Sequence, residues 1–142
     1  MAEVGGQPFE SVRPEAVSGP RPAAEAIEVA VTTVDERAVV LHVVGEVDML
    51  TAPVFAEHVR THFAAAGQVR PLVVDVTGVT FLGSAGLAVL ADARNLATAS
   101  GVAVRVVASS PTVLRPLQVT GLDQVLEIVP DVTTALSQVT AT

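Results

Sequence analysis

The stretch Pro71-Leu72-Val73-Val74-Asp75-Val76-Thr77-Gly78-Val79-Thr80-Phe81-Leu82-Gly83-Ser84-Ala85-Gly86-Leu87, followed by an Ala/Leu-rich run to Ser100 and Gly101, organises this chain. The β-branched run Leu72 to Val76 predicts a strand, and Thr77-Gly78 reads as a turn. After a short apolar step, the small residues Gly83 to Gly86 open directly into a helical pattern from about Ala85 to Ser100. Gly101 then suits the left-handed conformation just past a helix end. Chemistry is expected where loop meets helix, because a helix N-terminus presents unpaired N–H groups and partial positive charge. Small residues there admit a close partner.

Composition narrows the classes of function. The chain has 142 residues, half of them hydrophobic, which is enough for one domain with a substantial core. Aromatics make up 3%, the net charge is −7, and the eight basic residues are scattered arginines with no lysine. Neither a stacking platform for bases nor a basic patch for nucleic acid or a membrane surface is visible. Cysteine is absent, which removes disulfides and thiolate chemistry. No apolar run reaches the ~18 residues of a bilayer-crossing helix, so a soluble, cytoplasmic protein is expected.

Outward from the central stretch, Ile27 to Val34 alternates apolar and polar residues, and Arg37 to Val44 is a second, more apolar run. These predict a hairpin with the first strand at the edge. Gly45-Glu46-Val47-Asp48-Met49-Leu50 reads as a loop. The next helix takes Thr51 as N-cap and Pro53 in its first turn, buries Phe55, Val59 and Phe63, and ends at Gly67. Val102 to Val107 predicts a strand, and Ser110-Pro111 starts a short helix that Pro116 should break. Val125 to Val129 predicts the last strand, and Pro130-Asp131 starts a final helix. Residues 1–25, rich in Pro and Gly, read as a mobile acidic tail, leaving residues 26–142 as the folded domain. The order β-β-α-β-α-β-α-β-α predicts an α/β fold, a mixed, mostly parallel sheet of about five strands with about four helices.

With these elements placed, the sequence resembles the STAS domain family, in its bacterial anti-sigma factor antagonist (anti-anti-sigma factor) type. The resemblance rests on Gly45-Glu46-Val47-Asp48, on Val74-Asp75-Val76-Thr77-Gly78-Val79-Thr80-Phe81, on Gly83-Ser84-Ala85-Gly86-Leu87 and on Gly121-Leu122-Asp123. It implies the STAS-like fold and a regulator, not an enzyme, that binds a kinase-like anti-sigma factor and so releases a sigma factor. No cofactor is implied. In the family's usual loop, Asp-Ser-Ser-Gly or Asp-Ser-Thr-Gly, the hydroxyl residue before the Gly accepts phosphate. Here Ala85 stands at the acceptor position and Gly83 at the Asp position, so the usual switch has no oxygen to modify. Ser84 is the one hydroxyl left, but one step along a helix turns a side chain by roughly 100°.

The candidate partner-binding residues are Glu46, Asp48, Gly83, Ser84, Ala85, Gly86, Ala88 and Val89. Glu46 and Asp48 join the set because both loops should lie at the carboxyl ends of their strands. Each has a simpler reading: Ser84 as N-cap, Asp48 as a turn or cap acceptor near Thr51, the glycines as packing residues, Ala88 and Val89 as ordinary surface. Asp75 should end the central strand and accept from amides beyond it. His58 and His62 have the i, i+4 spacing of a zinc pair, but the intervening residues lack the zinc-protease Glu and no third ligand is evident, so a solvated helix face is expected and no metal. A ligand-sensing or scaffold module in a larger complex is the alternative function, and weak homodimerisation is allowed.

Overall fold

The computed structural model describes residues 26–140. Strands β1 (Ile27–Val34) and β2 (Ala38–Val47) form the expected antiparallel hairpin. Then follow α1 (Ala52–Phe63), β3 (Leu72–Leu82), α2 (Ser84–Ser100), β4 (Val104–Val107), α3 (Pro111–Thr120), a 3-10 turn (Leu122–Gln124), β5 (Glu127–Val129) and α4 (Val132–Thr140). The five strands lie in the order β1-β2-β3-β4-β5, with β2 to β5 all parallel, so β1 is an edge as expected. Helical crossovers join each parallel pair, the economical way to connect parallel strands.

Strand alternation sends side chains to two unequal cores. Val39, Leu41 and Val43 of β2 and Leu72, Val74 and Val76 of β3 face one way, meeting Phe55 and Val59 of α1, Leu90 and Ala93 of α2 and Leu117 of α3. Val40, Val73, Val107 and Val129 face the other way, toward Ala135 of α4. The sheet is thus covered by three helices on one face and one on the other.

Several expectations need correction, and most involve glycine. Gly45-Glu46-Val47 is the end of β2 and not a loop, and β3 runs unbroken through Thr77-Gly78 to Leu82. In the β2–β3 register His42 pairs with Asp75 and Val44 with Gly78, so two residues of β3 oppose one of β2. The same happens between Gly45–Val79 and Glu46–Phe81. These are bulges, and glycine marks the close approaches within them. A Cβ on Gly78 would lie 2.9 Å from Val44 Cγ2, and one on Gly45, at φ +113°, would run into the Ala26 carbonyl. Asp75 therefore lies within β3 and does not end it.

Helix α1 stops at Phe63, before Gly67, which takes φ +85° in the connection to β3. Pro116 does not break α3: the bond it cannot donate would have gone to the carbonyl of exposed Thr112, which water can reach, while Val113 and Leu117 anchor the helix in the core. The last strand is only Glu127–Val129, because Leu122 to Gln124 is wound into the 3-10 turn.

Candidate functional site

The connection from β3 to α2 has no slack. Leu82 is the last strand residue, Gly83 the N-cap and Ser84 the first helical residue. Gly83 adopts extended backbone (φ −90°, ψ −178°), and its carbonyl accepts from Gly86 N (3.0 Å) and Leu87 N (3.1 Å). Its own N–H donates to the Val47 carbonyl at 2.9 Å, tying the start of α2 to the end of β2. The reading of Ser84 as N-cap is therefore corrected. No side chain caps this helix, and Ser84 is exposed at its first turn, where free N–H groups face solvent.

The small residues have distinct jobs. Gly86 is buried, and a Cβ there would come within 2.6 Å of both Leu82 Cδ1 and Val47 Cγ1, so helix and strands meet backbone to side chain. A Cβ on Gly83 would lie 3.1 Å from the Phe81 ring, which folds back over the turn. Ala85 is half-buried and leans on the core, while Ala88 is exposed. Val89 is not part of an exposed face. It is 8% exposed and shares the core stripe of Gly86, Leu90, Ala93 and Ala97.

Glu46 pairs in register with Phe81, and Val47 with Leu82, so the two predicted segments do lie side by side at one end of the sheet. The 48–51 turn is closed by hydrogen bonds. Asp48 Oδ1 accepts from Leu50 N (2.9 Å) and Thr51 N (3.0 Å), while Thr51 Oγ1 accepts from Asp48 N (2.9 Å) and donates to the Glu46 carbonyl (2.7 Å). Thr51 is 1% exposed. The Thr51 N–H, with the Leu50 N–H, holds the Asp48 carboxyl below its ordinary range, outweighing the opposing effect of burial. Asp48 is thus a turn acceptor first. Glu46 is exposed.

Sequence reasoning missed the apolar residues around this end. Met49 is 78% exposed, Leu50 70% and Phe81 51%. Met49 and Leu50 ride on the Asp48 turn, which uses the Leu50 N–H and leaves both side chains exposed. The available signal was an Asp-Met-Leu-Thr turn with large apolar residues at its tip.

Other singled-out residues lie elsewhere. His58 Nδ1 donates to the Val54 carbonyl (3.0 Å) and His62 Nε2 to the Arg70 carbonyl (2.8 Å); both rings are half-buried, which corrects the expectation of a solvated face. Among the described residues no three His, Cys, Asp or Glu converge as a metal would need. Asp75 accepts from Thr77 N (3.1 Å) and Thr77 Oγ1 (2.7 Å) and meets His42 Nδ1 at 2.9 Å. Burial alone would raise the Asp75 pKa, but the Thr77 bonds and His42 more than offset it and the net shift is downward.

Comparison with known proteins places the chain in a family. The sequence model described as STAS domain matches residues 29–135. Rv2638 of Mycobacterium tuberculosis, whose name marks it as a candidate anti-anti-sigma factor, is 36% identical over 104 residues, 73% of this chain and 70% of that protein. The anti-sigma-F factor antagonist RsfA of the same organism is 33% identical over 102 residues, 72% of this chain and 80% of its own. The crystal structure of an anti-sigma factor antagonist from Mycobacterium paratuberculosis superposes with a TM-score of 0.73 at 33% identity, covering 87% of this chain and 98% of that one. Among the described residues no helix is long and apolar enough to cross a membrane.

Proposed function

Because the chain belongs to the STAS domain family, we propose that it is an anti-sigma factor antagonist: it docks on an anti-sigma factor of kinase-like ATPase fold and so frees a sigma factor. It works in the cytoplasm and catalyses nothing itself. The observation that carries this reading is the surface built by the 46–51 turn and the 81–88 segment, joined by the Gly83 to Val47 hydrogen bond. The polar groups of its 46–51 turn are tied internally, and Met49, Leu50 and Phe81 stand out beside it. A pre-organised surface with apolar anchors loses little entropy on docking. Glu46, Asp48, Ser84, Ala85 and Ala88 supply its rim, while Gly83, Gly86 and Val89 hold its shape from within.

Phosphorylation at the usual position has no role in this reading, since Ala85 carries no hydroxyl and is half-buried. The protein is then either constitutively competent or controlled by something other than phosphorylation at that position. Ser84 is exposed but sits a full helical step away. Weak self-association is compatible with the docking surface, which lies at the strand ends.

Titration against the cognate anti-sigma factor by calorimetry tests the docking. Phe81→Asp should weaken binding by a factor of roughly 30 or more, the scale of a central apolar anchor, while leaving the fold intact by circular dichroism. Unchanged affinity would refute the surface. Incubation with the same partner and ATP, followed by intact-mass analysis, should return the unmodified mass, and stoichiometric phosphate on Ser84 would overturn the claim about control.

A further inference from the structure

A second surface feature lies at the opposite end of α1. Beyond Phe63 the chain passes through Gly67 to Arg70-Pro71, leaving a cleft of about 400 Å³ between the C-terminal half of α1, that connection and the first strands of the sheet. The volume falls within the roughly 300–1,000 Å³ of small-molecule sites. Its floor is aliphatic: Val31, Val39 and Leu41 of β1 and β2. Val31 is 56% exposed, a large apolar side chain open to solvent.

The wall is polar and fixed. His58 and His62 face the cleft with rings locked by backbone carbonyls. A carbonyl can only accept, so each bonded nitrogen carries the hydrogen and the other nitrogen of a neutral ring is an acceptor. Burial lowers the His62 pKa, and the Arg70 charge pushes the same way, against the hydrogen bond to the Arg70 carbonyl. The charges in the wall are unequal. Glu57 is paired with Arg60 at 3.2 Å, but the half-buried Arg70 guanidinium has no carboxylate or hydrogen-bond partner among the described residues. In a chain of net charge −7 this is an isolated cation beside an apolar floor.

We propose that this cleft binds a small amphipathic monocarboxylate, its carboxylate on the Arg70 guanidinium and its hydrocarbon body on Val31, Val39 and Leu41. Arg70 is the matching donor because its planar fork binds a carboxylate through two parallel bonds. The acceptor nitrogen of His62, whose pKa burial lowers, disfavours a second anionic group, which selects one charge per ligand. The site shares no residue with the proposed docking surface, so either claim can fail without the other.

The test uses the full-length, ¹⁵N-labelled protein and three probes: octanoate, octanol and acetate. Octanoate should bind saturably, moving the backbone amides of residues 57–70, Val31 and Val39 to Leu41. Octanol and acetate, which each lack one half of the recognised group, should bind at least about tenfold more weakly. Arg70→Gln should weaken octanoate by about the same factor, and Val31→Trp, which fills the floor, should abolish binding, both without loss of the folded spectrum. Absence of octanoate shifts in these residues, octanol binding as tightly as octanoate, or an Arg70→Gln protein with undiminished affinity would overturn the proposal.

Discussion

The two ends of α1 are built on opposite plans. At its N-terminal end, Asp48, Thr51 and the Glu46 carbonyl satisfy one another, Thr51 is buried, and the apolar side chains Met49 and Leu50 are pushed outward. At its C-terminal end, about 18 Å away by helix geometry, the backbone leaves a concavity with an arginine that has no partner among the described residues and an exposed valine. The difference teaches what each end can recognise. A closed, convex surface with protruding anchors suits another protein, whereas a concave floor with one free charge suits a small molecule.

The sharpest way to break the docking end is from beneath. Gly86→Leu would drive side-chain atoms into Leu82 and Val47, and overpacking of this kind should cost about 3 kcal/mol in urea unfolding. A gain in stability, as intrinsic helix propensity alone would give, would show that the close contact is not limiting. Thr51→Val keeps the shape but strands the Glu46 carbonyl and the Asp48 N–H, and should cost about 2 kcal/mol by the same measurement. Retained stability would mean water replaces the hydroxyl.

The smallest effects distinguish the two ends by pH. Asp48 has a lowered pKa in the folded protein, so its contribution is present above the ordinary carboxylate value of 3.8 and is lost as pH falls below it. The folded-state pKa of His62 is also lowered, below 6.5, so the unfolded chain binds its proton first and stability declines as pH falls from about 6.5. Thermal melts from pH 8 to pH 3 should therefore show the cleft end weakening first. His62→Gln should flatten the upper limb, and Asp48→Asn should shrink the lower one, which Asp75 and Asp131 share. Loss of both limbs in either variant would contradict separate origins.

The strand and helix order, the edge position of β1 and the stop of α2 at Gly101 were legible because each follows from local pattern. Gly101 takes φ +74°, as its place after the helix required. Gly45 and Gly78 misled because glycine serves turns and bulges alike, and only the pairing of β2 with β3 tells which applies. Val89 was misjudged because an Ala/Leu-rich run does not by itself fix the helix face; the buried stripe is centred on Gly86, Leu90, Ala93 and Ala97. The juxtaposition of the 46–48 and 81–86 segments was foreseeable from strand polarity. The bond between His42 and Asp75, 33 residues apart, and the cleft beside His58 and His62 depend on packing that no local pattern encodes.

The division between the two ends is tested most directly by titrating ¹⁵N-labelled protein with its unlabelled anti-sigma factor. The amides of residues 46–51 and 81–88 should broaden or shift on complex formation, while Val31, Val39 and residues 57–70 stay in place. Perturbation centred on the cleft residues, with the 46–51 and 81–88 amides unmoved, would contradict the account.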